Sequence, residues 1–435
     1  MSDRADPVTR RNFLAASSAA TVASLGPKTV ATASAAKQKS EPAPAAAAPN
    51  RPLRLAAINS IYRLRSHAYH IINRFVYGYP VDGFHHQPPF EIVRMFNDQY
   101  PKDDLSRDFC PKHDIELCKT AAETLGRDGQ IDVDGVLVIV EHGDYPVNEF
   151  QQVLYPRFEY FQQVVDAFKK AGRSVPVFVD KHLSYDHRKA AAMVQTGRDM
   201  RFGMMAGSSL PVTWRIPSIE PALGTPFTEA VVCLGFDRGA AEIYFIHGLE
   251  VLQCMMERRP GGESGVRSVT YLEGDAVWKA ADDGRWSWKL LDAAIARNPS
   301  RNVGSVRENV LNPQAILVEY RDGTRGAVLN LIEQVADFCF AGTVRGSDQP
   351  ISTHFYLPPP PGAKFFDPLT FNIEQFFLTG GKPPYPVERT LLTSTILDWA
   401  MHSLKAGGKT FSDPSLDIRY AAPASSGFFR GPVVE

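Results

Sequence analysis

The sequence predicts an α/β domain on a parallel sheet, followed by an α+β domain on a mostly antiparallel open sheet. Three observations carry this. The runs Gly135-Val136-Leu137-Val138-Ile139-Val140 and Val175-Pro176-Val177-Phe178-Val179 are short, apolar and rich in β-branched residues, as strands buried on both faces are. Between them Phe150, Val153, Leu154, Phe158, Phe161, Val164, Val165 and Phe168 recur at helical spacing, with Gly172 as the stop. Strand, helix and strand make a right-handed crossover, so the strands are parallel and both end at the carboxyl edge, where open α/β sheets hold ligands. Beyond Tyr185 the texture changes: strand patterns follow one another, and Arg321-Asp322-Gly323-Thr324 joins two of them as a hairpin.

The chain has 435 residues, 44% hydrophobic and 22% charged, which is long enough for two domains. Its net charge of -1 gives no electrostatic case for nucleic acid as a partner. Thr9-Arg10-Arg11-Asn12-Phe13-Leu14 and the Ala-rich, weakly apolar stretch to Leu25 resemble a twin-arginine export signal. Ala31-Thr32-Ala33 and Ser34-Ala35-Ala36 offer small-residue cleavage sites. The expectation is a signal over residues 1–36, engagement of the Tat translocase, a periplasmic or other extracytoplasmic mature protein, and an Ala/Pro-rich tether over residues 37–50. Cys110, Cys118, Cys233, Cys254 and Cys339, with no CxxC, read as buried thiols rather than a disulfide framework, with one bridge left open.

The first domain, residues 51–185, opens on Leu53 to Ile58 as a buried strand, and a helix begins over Arg65 to Ile72. The first strand-to-helix turn therefore falls on Asn59 to Leu64. Tyr77 to Pro89 reads as a loop, and Phe90 to Phe96 as a second strand ending on Asn97-Asp98. Asp114 caps an expected helix that packs Ile115, Cys118, Ala121, Ala122 and Leu125 before Gly126. In the second domain, residues 186–435, helices are expected over Asp186 to Gly197, Ala240 to Glu257 and Val387 to Lys405. Strands are expected at Arg201 to Ala206, Ser268 to Leu272, Ala315 to Tyr320, Gly326 to Leu331, Phe338 to Arg345 and Ile351 to Leu357. Ser208 to Thr228 is an irregular, Pro-punctuated connection. Trp278, Trp286 and Trp288 are core aromatics of strands or stacking surfaces for sugar rings.

The order of elements and four stretches resemble the glucose-fructose oxidoreductase / inositol dehydrogenase (Gfo/Idh/MocA) family. These are Asp134 to Ile139, Val179-Asp180-Lys181-His182-Leu183-Ser184, Tyr244-Phe245-Ile246-His247-Gly248-Leu249-Glu250, and Pro386 to Leu391 with Ser403. The resemblance implies a Rossmann-like first domain, NAD or NADP as cofactor, a small-molecule carbohydrate or polyol as substrate, and a homo-oligomer built through the open sheet. Alcohol oxidation needs a base for the hydroxyl proton and a cation for the developing alkoxide. By resemblance His247 is the base and Lys181 the cation, with Asp180, His182 and Glu250 on the substrate side. Asn59, Ile61, Arg63, Asp98 and His142 fall where the family binds its dinucleotide.

The chain departs from the family pattern at three places. Asn59-Ser60-Ile61-Tyr62-Arg63-Leu64 stands where the family has Gly-x-Gly-x-x-Gly, with Arg63 and Arg65 as alternative side-chain phosphate ligands. Ile243, beside Glu242, stands for the acid four residues before the histidine, and His182 replaces the proline after the lysine. Two alternatives follow. The domain is a sugar-binding or oligomer-forming module without the glycine loop, or Glu141, His142, Asp144, His182, Asp186 and His187 gather at the strand ends as a metal hydrolase centre.

Overall fold

The computed structural model describes residues 51–236, 241–359 and 361–431, so the expected export signal and tether lie outside the described residues. In chain order the first half runs β1 (Leu53–Asn59), α1 (His67–Tyr77), a ribbon of β2 (Tyr79–Val81) and β3 (Phe84–His86), then β4 (Phe90–Asn97), α2 (Ser106–Lys112) and β5 (Glu116–Leu117). It continues through β6 (Gly135–Ile139), α3 (Arg157–Ala171), β7 (Val177–Asp180), α4 (His187–Asp199) and β8 (Met204–Gly207). Six of these strands form one sheet in the order β5-β4-β1-β6-β7-β8, with every neighbouring pair parallel. The order reverses direction between β1 and β6, which makes their carboxyl ends the switch point of the fold.

Side chains alternate across the strands, and each face has its own cover. Ala56, Ile58, Val136, Val138, Val177 and Val179 pack beneath α3 and α4. Leu55, Ala57, Leu137, Ile139 and Phe178 face α1 and a helix from much later in the chain, α9, described below.

The second half runs β9 (Trp214–Ile216), β10 (Phe227–Leu234), α5 (Ala241–Met256), β11 (Val266–Glu273), α6 (Asp275–Asp282), α7 (Trp288–Ile295) and α8 (Val306–Asn309). It closes with β12 (Gln314–Tyr320), β13 (Arg325–Asn330), β14 (Phe338–Val344), β15 (Ile351–Tyr356), α9 (Phe366–Leu378) and α10 (Val387–Lys405). Its sheet has the order β11-β12-β13-β10-β14-β15-β9 and is antiparallel except between β10 and β13. The two-domain plan expected from the sequence is therefore present. Among the described residues no helix is long and apolar enough to cross a membrane.

Several expectations are corrected. The helix after Asp114 does not form: Asp114 sits at φ 55, Glu116–Leu117 adds an edge strand, and only Ala122–Thr124 makes a helical turn. Ile115, Cys118, Ala121 and Leu125 are buried and Ala122 is exposed, on an irregular path that helical spacing imitates. Phe150, Val153 and Leu154 precede α3 rather than belong to it. There the Asn148 side chain accepts from the Phe150 and Gln152 amides, so a local turn wins over the helix until Pro156. The domain boundary expected at residue 185 falls inside the parallel sheet, which β8 extends to Gly207. Helix α9 is absent from the sequence reading, because Pro368 and apolar residues on every side obscure its period.

The second sheet is open, with β11 and β9 as its edges, and helices cover both of its faces. One face carries α5 and α10 over Val232, Ile316, Val318, Val328 and Phe340. The other is covered by α6 and α7 over Val231, Cys233, Leu317, Leu329, Cys339 and Ala341. Trp278 and Trp286 thus lie in this helical cover, not in strands, and Trp288 packs beside them. Cys233 and Cys339 are paired across β10 and β14, and all five cysteines are free thiols.

Trp286 anchors that cover: it is 2% exposed, and its indole N–H donates to the Val277 carbonyl at 3.0 Å. Replacing Trp286 by Ala should lower unfolding free energy by about 3–5 kcal/mol in denaturant titration and should uncover the apolar sheet face.

Candidate functional site at the carboxyl edge of the parallel sheet

Two neighbouring strands end on residues that the chain cannot leave in ordinary strand conformation. His142, after β6, has φ 68, and Lys181, after β7, has φ 61. Left-handed backbone costs a non-glycine residue about 1–2 kcal/mol, so packing must hold both turns. At Lys181 the hold is visible, since its amide donates to the Gly207 carbonyl at 3.2 Å and carries the sheet pairing one residue past β7.

Beneath them lies a buried ion network. The Lys181 ammonium donates to Glu141 Oε1 at 2.8 Å, and the fully buried Arg157 guanidinium pairs with Glu141 Oε2. Burial alone would raise the Glu141 carboxyl, but Lys181 and then Arg157 outweigh it and hold the group well below the usual carboxylate range. Arg157 also reaches His182 Nε2 at 3.2 Å, and burial followed by that guanidinium drives His182 well below the usual imidazole range. His182 is therefore a neutral acceptor for Arg157 and does not face the cleft.

From the second domain α5 brings His247. Its Nδ1 lies 2.9 Å from Ser208 Oγ and 3.3 Å from Glu250 Oε2, while Ser208 hydrogen-bonds Glu250 through both its amide, at 2.8 Å, and its hydroxyl. With the serine proton directed at Glu250, Nδ1 of His247 must be the donor, and Nε2 is left with a lone pair. Burial, then the charge of Lys181, lowers its pKa. His247 is thus built as a neutral base. Glu250 acts behind it rather than in the cleft.

A cavity of about 670 Å³ joins these groups. Arg65, His67, Glu141, His142, Lys181 and His247 line it, with Tyr155, Tyr244, Phe338 and Phe366 among its apolar walls. Of the expected site residues, Lys181, His247 and His142 face it; Asp180 stands behind His67, its Oδ2 2.7 Å from His67 Nδ1. His67, Arg157 and Ser208 are absent from the sequence-based assignment. Ser66-His67 at a helix start was the only signal for the first, because Ser66 caps α1 and so fixes where His67 emerges.

The expected dinucleotide residues are arranged differently. Asn59 is buried and donates to Asn97 Oδ1 at 3.1 Å; Ile61 and its neighbour Tyr62 are 2% and 0% exposed; Arg63 turns to Asp103 at 3.3 Å. The turn is sewn to both neighbouring strand ends: the Ser60 amide donates to the Ile139 carbonyl, the Ser60 hydroxyl to the Glu141 carbonyl, and the Gln99 amide to the Ser60 carbonyl. Tyr62 packs beside the helix start, donating to Asn73 Oδ1 at 2.6 Å, with its ring tilted against that of Phe109 at 4.9 Å. Asp98, where a ribose hydroxyl would bind, accepts the Tyr145 hydroxyl at 2.6 Å, and Gln99 ties down the Asp144 backbone. The glycine cradle of a Rossmann crevice is thus occupied by side chains, and the residues present do not fit a dinucleotide in the usual seat.

Nor do the six residues of the metal alternative assemble. Glu141 and His182 are committed to Arg157, whereas Asp186 and His187 sit with Asp398 in a separate cluster. Glu242, beside the position of the family acid, turns from the cavity to accept the Val153 amide. Burial raises its pKa from 4.5 to about 8, against the opposing pull of that hydrogen bond. The folded state therefore binds a proton that the unfolded chain releases, and stability falls as pH rises from about 4.5 to about 8. Glu242→Gln should remove that slope, raising the melting temperature relative to the parent at pH 8 and matching it near pH 4.5.

No family model matches the chain, and no curated protein matches it in sequence. Solved structures do. The myo-inositol dehydrogenase of Lactobacillus casei, determined with NAD(H) and myo-inositol, is 12% identical with a TM-score of 0.52, covering 83% of this chain and 96% of that one. The myo-inositol 2-dehydrogenase of Lactobacillus plantarum is 12% identical with a TM-score of 0.51, covering 83% and 99%. A probable dehydrogenase of Thermotoga maritima is 12% identical with a TM-score of 0.51, covering 83% and 98%. The chain has the two-domain fold of these dehydrogenases across nearly their whole length.

Proposed function

We propose that the cleft binds a sugar or polyol and acts on it by proton transfer, with Lys181 beside the oxygen that gains negative charge and His247 Nε2 taking the proton. One observation carries this reading: a lysine and a neutral histidine from different domains line the same cavity, each held from behind by a buried carboxylate. The fold shared with a dehydrogenase solved with myo-inositol supports the ligand class. Export through Arg10 and Arg11 belongs to the same proposal, as an enzyme or binding protein of the extracytoplasmic space.

A second reading is an NAD- or NADP-dependent oxidoreductase, favoured by the same fold and by Lys181 at the end of its strand. It requires the cofactor to be held from the cavity side, at Arg65 and His142, since the strand-to-helix turn is filled.

Calorimetric titration with myo-inositol and a set of aldoses and ketoses tests the ligand class. At least one should bind in the micromolar to millimolar range, and Lys181→Met should weaken it at least tenfold, about 1.4 kcal/mol. Arg157 still neutralises Glu141 in that variant, so its unfolding transition should survive. Binding of none of these compounds, or binding indifferent to Lys181, would overturn the proposal.

A further inference from the structure

The cavity holds a second histidine–carboxylate pair that neither the family resemblance nor the proposed function uses. His67 is the first residue of α1, and its Nδ1 meets Asp180 Oδ2 at 2.7 Å, which leaves the other ring nitrogen toward the cavity. The ring is fixed on two sides, edge-on to Phe366 at 5.0 Å and beside His142 at 5.2 Å. Asp180 is 0% exposed, and its Oδ1 has no partner among the described residues. The same architecture, a ring aimed by a buried carboxylate, thus occurs at His67 from the first domain and at His247 from the second.

Charge balance separates their roles. Three buried carboxylates, Glu141, Asp180 and Glu250, stand around the site, and the buried cations Lys181 and Arg157 both pair with Glu141. A buried carboxylate without a counter-charge is costly, and Asp180 has only His67 to supply one. The other histidines do not compete: burial and then the charge of His67 push His142 down to about 4, and His182 and His247 are also lowered.

Resting on the proton-transfer reading above, we infer that His67, backed by Asp180, is a proton donor that works together with His247, so that the cavity eliminates water from a hydroxy-ketone sugar. His247 Nε2 takes the hydrogen on the carbon next to the carbonyl. The electron pair of that C–H bond forms a carbon–carbon double bond, and the β carbon–oxygen bond breaks toward its hydroxyl. His67 gives its proton to the departing hydroxyl, which leaves as water, while Lys181 steadies the negative charge on the carbonyl oxygen. No electrons are gained or lost, so the step needs no dinucleotide, in keeping with the filled turn at Ser60 to Tyr62. The product is an unsaturated carbonyl sugar.

The test uses the full chain and erythrulose, a keto sugar that stays open-chain. In deuterium oxide, proton NMR reads exchange at the carbon next to the carbonyl, and trapping of the dicarbonyl product reads water loss. His247→Asn should abolish both signals, and His67→Asn should cut water loss by at least about 100-fold. Asp180→Asn should cut water loss as His67→Asn does while leaving the deuterium exchange in place, because Asp180 Oδ2 aims the His67 ring at 2.7 Å. Water loss indifferent to His67 or to Asp180, in variants that still exchange deuterium and are therefore folded, would overturn the inference. Erythrulose that binds without exchanging would sink this inference alone, and absence of binding by any sugar would sink the proposed function with it.

Discussion

The Glu141 carboxylate is the contact on which the site depends. It ends β6, sits at the switch point, and meets Lys181 from β7 on one oxygen and Arg157 from α3 on the other. Its backbone carbonyl takes the Ser60 hydroxyl, so the same residue locks the first strand-to-helix turn. Glu141 is the member the group cannot lose: without it both buried cations stand unpaired, at a cost of about 3–5 kcal/mol. The left-handed turns at His142 and Lys181 are held against this centre, which sets the direction in which their side chains enter the cavity.

The chain shares its fold with solved dehydrogenases, while buried side chains stand at the turn where a Rossmann crevice has its glycines. The positions of the glycine pattern hold Asn59, Ile61 and Leu64, and Asp98, where a ribose hydroxyl would bind, accepts the Tyr145 hydroxyl. One face of the second sheet is covered by α6 and α7 of the same chain. Lys181, His247, His142 and His67 meet in the part of the cleft nearest the second domain. Fold and chemistry are separable, and here the chemistry must be read from the cavity.

Much of this was legible in the sequence. Buried parallel strands announce themselves as apolar runs, so β6 and β7, their shared edge and Lys181 followed from Val136 to Ile139 and Val177 to Val179. The missing glycines at Asn59 to Leu64 already signalled an altered turn. The helix after Asp114 misled because buried residues on an irregular path can mimic helical spacing, and α9 was hidden because a helix buried nearly all round has little period to detect. His67 and Arg157 were out of reach for another reason: each owes its role to partners 113 and 16 residues away, Asp180 and Glu141. Only the folded arrangement brings those pairs together.

The most direct measurement is titration of the full chain, purified from an export-blocked strain, with NADH and NADPH while nicotinamide fluorescence is followed. A turn filled by Ile61 and Tyr62 and an Asp98 committed to Tyr145 predict no saturable binding below about 1 mM. Micromolar binding of either dinucleotide, or its retention through purification, would contradict the closed seat and restore the oxidoreductase reading.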